Sequence, residues 1–195
     1  MKRKHFLQSV LGASAFIGLS LAACNERGSL QELVNNTKRK VTGNMFGFAA
    51  DPISKVRVGI IGLGNRGNTL LEMFQYLVEN EMAEVIALSD ISEEKVTKAA
   101  EKLAVWQSKK PVLYHKSKTE WEKLVKRDDI DLVIIATPWD LHTPMAIYSM
   151  ENGKHVGSEV PVASTIEDCW KIIETAECTQ KHCMMMENCN YNEEE

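Results

Sequence analysis

Val56-Arg57-Val58-Gly59-Ile60-Ile61-Gly62-Leu63-Gly64-Asn65-Arg66-Gly67 is the stretch that decides the fold. An apolar run ends at Gly62, a helical pattern begins near Asn65, and Gly62, Gly64 and Gly67 stand in a G-x-G-x-x-G array between them. Such a turn cradles a nucleotide pyrophosphate. The first glycine permits the tight turn, the second lets backbone approach the anion, and the third lets strand and helix pack closely, with the helix N-terminus facing the phosphates. A second apolar run, Glu84 to Ser89, ends in Asp90, at the distance expected for the acid that receives an adenosine ribose. A carboxylate there repels a 2′-phosphate, and Ile91 and Ser92 offer no arginine to hold one, so NAD is expected rather than NADP.

Downstream, strands and helices alternate. Leu70, Phe74, Leu77 and Val78 recur at helical spacing. Ser92 caps a helix with Glu93 and Glu94 in its first turn and Val96, Ala99, Ala100 and Leu103 on its buried face. A short strand at Val112 to His115 follows, then a capping box of Thr119 with Glu122. Leu132 to Ala136 reads as a strand buried on both faces. Thr143 is expected to cap, and Pro144 to open, a helix that stops at Gly153. His155 to Glu159, Thr165 to Lys181 and Cys183 to Asn188 complete the pattern as strand, helix and strand. Six strands and five crossovers predict an α/β fold: a doubly wound parallel sheet, the Rossmann dinucleotide-binding domain.

Composition narrows the setting. With 195 residues, 44% of them hydrophobic, and a formal charge of −4, the chain has the makings of one globular domain. Mild acidity gives no broad phosphate-seeking surface, so nucleic acid is not the expected partner. Lys2, Arg3 and Lys4 precede an apolar segment, Val10 to Ala23, too short for a membrane span, which reads as an export signal. Leu21-Ala22-Ala23-Cys24 resembles a bacterial lipobox, making Cys24 the expected lipidated residue, anchored in the periplasm or cell envelope. Arg3-Lys4-His5-Phe6-Leu7 resembles a twin-arginine signal with lysine for the second arginine, and both export routes stay open. The expected organisation is a signal peptide at 1–23, a tether at 24–54, the Rossmann domain at 55–190 and a tail at 191–195. Cys169, Cys178, Cys183 and Cys189 lack zinc spacing, so no metal is expected; buried free thiols are, with Met184, Met185 and Met186 as strand core.

Ligands of such sheets bind beyond the carboxyl ends of the strands. There the chain carries Thr137-Pro138-Trp139-Asp140-Leu141-His142, Glu159-Val160-Pro161 and Glu187-Asn188-Cys189. Thr137-Pro138, His142, Gly153-Lys154-His155-Val156 and Glu159-x-Pro161 resemble the signature of the Gfo/Idh/MocA oxidoreductases. Sugar dehydrogenases of that type usually have lysine where this chain has Val160, and valine shuttles no proton. The W-x-L-H, E-V-P and M-M-M-E-N-C segments look instead like glycoside hydrolase family 109, the NAD-dependent alpha-N-acetylgalactosaminidases of the same superfamily.

That resemblance implies NAD contacts at Asn65, Arg66, Asp90, Trp139, Asp140, Leu141, His142, Glu159, Val160 and Asn188. Read without it, Trp139 is a lid-packing aromatic, His142 a helix-start hydrogen-bond donor and Glu159 a satisfied acid at a strand end. It also implies a carbohydrate substrate, a terminal N-acetylgalactosaminide, hydrolysed by transient oxidation at C3, elimination and readdition of water with no net redox change. In that family the substrate residues lie in a second α/β domain, expected beyond the end of this chain, so no catalytic residue is assigned. The family continuation N-C-C-Y-G is replaced by Asn188-Cys189-Asn190-Tyr191-Asn192. A sugar dehydrogenase of the superfamily and a non-catalytic nucleotide-binding module stand as alternatives, and a homo-oligomer is left open.

Overall fold

The computed structural model describes residues 43–187. Cys24, Asn188, Cys189 and Tyr191, with the expected signal, most of the tether and the tail, lie outside the described residues. The elements run β1 (Val56–Ile61), α1 (Asn65–Glu79), β2 (Ala83–Ser89), α2 (Glu93–Leu103), β3 (Val112–Tyr114), α3 (Glu120–Val125), β4 (Leu132–Ile135), α4 (Trp139–Glu151), β5 (His155–Ser158), α5 (Ile166–Thr179) and β6 (Cys183–Met185). All strand pairs are parallel, in the order β3-β2-β1-β4-β5-β6. This is the doubly wound Rossmann sheet, and its order reverses between β1 and β4.

Alternation along the strands builds two cores. On one face Val58, Ile60, Val85 and Leu88 meet Leu70, Leu71, Val96 and Leu103 from α1 and α2. On the other, Val133, Ile135 and Val156 meet Leu124 of α3, Met145 and Met150 of α4 and Ile172 of α5. Gly59 sits on this second face because a Cβ there would lie 2.6 Å from Leu124 Cδ2, so the missing side chain lets α3 approach β1.

Chain ends follow local chemistry. Ser92 Oγ accepts the Lys95 N–H, and Thr165 Oγ1 accepts the Asp168 N–H, as capping predicts. α4 closes with the Gly153 N–H donating to Met150 O and the Lys154 N–H to Ser149 O, Gly153 taking φ +79°.

Several expectations need correction. The Thr119–Glu122 box does not form: the chain enters α3 through a turn in which the Glu120 N–H donates to Ser117 O, and the Thr119 hydroxyl pairs with Ser117 Oγ. α4 begins at Trp139, five residues before the expected start at Pro144, which lies inside it. Thr143 does not cap, because its hydroxyl donates to Val162 O at 2.9 Å and ties α4 to the loop after β5. α5 ends at Thr179, where Gln180 turns left-handed. β6 is an edge strand of three residues, so Met184 and Met185 are substantially exposed rather than core. Cys169 is exposed, as is Cys178, since Ile172 is the residue that α5 buries; Cys183 is half-buried.

Candidate functional site

The glycine turn is built from three different constraints. Gly62 takes φ +89°, and a Cβ on it would lie 2.5 Å from Ala136 O, so the turn fits against the exit of β4 only without a side chain. A Cβ on Gly67 would lie 1.9 Å from Gly62 O, which fixes how closely α1 sits on the turn. Gly64 meets nothing: a Cβ there points into open space. Its lack of a side chain serves no protein neighbour, and leaves the backbone approachable by a ligand. Gly64 is the N-cap of α1, whose first turn carries no acid, so the positive end of the helix dipole lies at this opening.

Asp90 closes the turn from the neighbouring strand. Its Oδ2 accepts the Leu63 N–H at 2.7 Å and its Oδ1 accepts the Ser92 N–H at 2.9 Å. Each carboxylate oxygen has a further lone pair, so the group that braces the turn retains acceptors for ribose hydroxyls. Asn68 has no signature in the sequence yet belongs here. Its amide donates to Leu63 O at 2.8 Å and Gly64 O at 3.2 Å, locking the carbonyls of the turn.

Residues from the other half of the sheet converge on the same edge. Trp139, Asp140 and Leu141 form the first turn of α4 and are exposed, Trp139 by 68%. Glu159 follows β5, and its Oε1 accepts from Arg66 Nε at 2.6 Å. Val160 is half-buried beside it. His142 behaves differently from the contact expected of it. The ring is 1% exposed, with Nδ1 2.8 Å from Pro161 O and Nε2 2.8 Å from Thr137 O. Those carbonyls only accept, so the ring donates inward through whichever nitrogen carries the proton, and its two nitrogens lie between the loop after β4 and the loop after β5. Asn65 is exposed at the start of α1.

Lys154, from the same motif as His155, lies at the opposite end of β5. It is buried, donates to Arg127 O at 2.5 Å, and burial pushes its ammonium pKa down. A groove of about 1010 Å³ involves that end too, lined by Arg57, Asp131, Lys154, Ile134 and Met186 among others, and by none of the residues that meet at the crevice. Among the described residues no cluster of histidine, cysteine and carboxylate side chains is arranged to hold a metal.

The crevice fits a dinucleotide: an open backbone at Gly64, an acid-free helix start, a ribose acceptor at Asp90 and an exposed aromatic at Trp139. Comparison with known proteins points the same way. The model of the GFO_IDH_MocA family, described as an oxidoreductase family with an NAD-binding Rossmann fold, matches residues 56–187. An alpha-N-acetylgalactosaminidase of Shewanella oneidensis is 42% identical over 193 residues, covering 99% of this chain and 40% of that protein. Glycosyl hydrolase family 109 protein 1 of Shewanella sp. strain ANA-3 is 41% identical with the same coverage. The chain thus spans about two fifths of the length of these relatives. Among solved structures, the WlbA dehydrogenase of Chromobacterium violaceum, in complex with NADH and UDP-GlcNAcA, is 27% identical with a TM-score of 0.63 over 74% of this chain and 39% of its own. An NAD-binding protein from Listeria innocua is 32% identical with a TM-score of 0.60 over 71% and 37%.

Proposed function

The chain belongs to the Gfo/Idh/MocA oxidoreductase family, with an NAD-binding Rossmann fold, and from that premise we propose that it is the cofactor domain of an exported glycosidase that removes terminal alpha-N-acetylgalactosamine. The observation that carries the choice within the family is Val160. It follows Glu159 in the loop after β5, where a proton-shuttling lysine would suit net oxidation of a sugar hydroxyl, and an isopropyl group moves no proton. The 41–42% identity to family 109 glycosidases supports the same choice.

Bound NAD supplies a reversible hydride acceptor, which lets a sugar hydroxyl pass transiently to the ketone level so that elimination and water addition exchange the aglycone without net redox change. This chain's own residues bind and orient. Gly62, Gly64 and Gly67 shape the turn, Asp90 and Asn68 keep it rigid, and the N–H groups at the start of α1 hold the pyrophosphate. Trp139 and Leu141 shield the crevice from water, and His142 keeps the two carboxyl-end loops in register. No proton-transfer role toward the sugar is assigned to a residue of this chain.

The test has two stages. Calorimetric titration of NAD into this chain should show saturable binding, and absence of binding refutes the cofactor reading. A protein extended to the length of its relatives should release nitrophenol from a nitrophenyl alpha-N-acetylgalactosaminide without accumulating NADH. Stoichiometric NADH from free sugar would instead establish a sugar dehydrogenase, the second reading, favoured by the likeness to WlbA. Export and anchoring at Cys24 are part of the proposal, supported by Leu21-Ala22-Ala23-Cys24. Labelled palmitate should enter the wild-type protein and not Cys24→Ser.

A further inference from the structure

Arg66 and Glu159, 93 positions apart, form an ion pair that crosses the crevice. Arg66 lies in the first turn of α1, just beyond β1, and Glu159 follows β5. β4 stands between those strands in the sheet, so the pair spans the carboxyl end of β4, beside the point between β1 and β4 where the strand order reverses. The Glu159 side chain is 9% exposed and that of Arg66 36%. The backbone N–H of Glu159 donates to Ile135 O at 2.9 Å, which anchors the acid to β4.

A carboxylate this near the opening at Gly64 disfavours an anion there on charge alone, and the first turn of α1 is otherwise free of acids. Its presence is explained if it sets a geometry. A guanidinium is a planar fork, so fixing its Nε edge at 2.6 Å fixes the plane of its Nη groups as well. The pair lies on the β4–β5 side of the glycine turn, whereas Asp90 braces the turn from the β2 side and suits the adenosine ribose.

We propose that Glu159 is a positioning residue: it holds the Arg66 guanidinium across the crevice, oriented to receive the phosphate on the nicotinamide side of the dinucleotide, and makes no contact with the dinucleotide itself. The proposal rests on the NAD-binding reading above. It replaces direct cofactor contact at Glu159 with action through a partner.

The experiment is calorimetric titration of NAD, ADP-ribose and AMP into the 195-residue chain and its variants. ADP-ribose keeps both phosphates, whereas AMP carries the adenosine-side phosphate alone. Glu159→Gln should weaken NAD and ADP-ribose about five- to twentyfold and leave AMP within about twofold. Arg66→Gln should give the same pattern, and the double variant should bind no worse than either alone. Arg66→Lys, which keeps the charge and the helix but lacks the fork, supplies the same readout should Glu159→Gln fold poorly. An equal loss for AMP, unchanged or tighter NAD binding in Glu159→Gln, or additive losses in the double variant would each overturn the proposal. A wild-type chain that binds AMP normally but not NAD overturns it as well, and one that binds none of the three overturns the cofactor reading itself.

Discussion

Asp90 Oδ2 accepts the backbone N–H of Leu63 at 2.7 Å, so the acid at the end of β2 holds the glycine turn at the end of β1 in shape. One side chain therefore serves both the fold and the ligand. Asp90→Ala leaves the N–H groups of Leu63 and Ser92 without their acceptor, at a cost of about 1–3 kcal/mol in unfolding free energy. It also removes the ribose acceptor. Denaturant unfolding and NAD titration should therefore fall together, and a variant that loses affinity at full stability would show that the brace contributes nothing.

Gly64 and Gly67 should separate binding from folding. Gly67→Ala places a methyl 1.9 Å from Gly62 O, against backbone that has no room to retreat, and should cost roughly 4 kcal/mol or more. Gly64→Ala meets open space at φ −69°, a conformation alanine adopts, so stability should stay within about 1 kcal/mol of wild type. Its NAD affinity should drop by about tenfold or more, because the methyl occupies the approach to the helix start. Equal NAD affinity in wild type and Gly64→Ala would remove the pyrophosphate from this turn.

The succession of strands and helices and the glycine turn were legible because each rests on local pattern. Apolar runs buried on both faces, helical spacing of Leu70, Phe74 and Leu77, and caps at Ser92 and Thr165 are all short-range facts. What stayed hidden depends on which distant groups the register brings together. Thr143-Pro144 has the composition of a helix start, yet Val162 O lies within reach of the Thr143 hydroxyl and the helix begins earlier. Gln107 reads as an ordinary polar residue, but its amide exchanges hydrogen bonds with the N–H and the C=O of Val85, at 2.8 and 3.0 Å. The inward-facing His142 ring and the Arg66–Glu159 pair belong to the same class: residue types were visible and partners were not. Met184 and Met185 were misread because an apolar strand in sequence does not reveal that it lies at the edge of the sheet.

Thiol chemistry distinguishes the cysteines of α5 from that of β6. Burial pushes the Cys183 thiol up to about 11, while Cys169 is exposed to solvent. The thiolate is the reacting form, so iodoacetamide at pH 8 should label Cys169 well before Cys183 in the folded chain. Peptide mass spectrometry over a time course gives both rates. Denaturant should bring them together, and equal rates in native buffer would mean that β6 is not packed as described.

Acid sensitivity should centre on the amino end of the sheet, away from the crevice. Asp131 accepts two side-chain hydrogen bonds from Arg57, at 2.9 and 2.6 Å, and one from the Arg57 backbone N–H. The Arg57 guanidinium, chiefly through its hydrogen bonds, holds the Asp131 carboxyl below the usual carboxylate range. A carboxyl whose folded pKa is depressed contributes stability that is fully present above its unfolded value, near ~3.9, and is lost as pH falls through the folded one. Because the Arg57 side chain is 41% exposed, solvent screening limits the contribution to about 1 kcal/mol. Asp131→Asn should therefore be less stable than wild type at pH 7, and the gap should close as pH falls below about 4. Urea midpoints measured from pH 7 to pH 2.5 test this, and a gap that stays constant or widens in acid would show that the pair's charge contributes nothing to the fold.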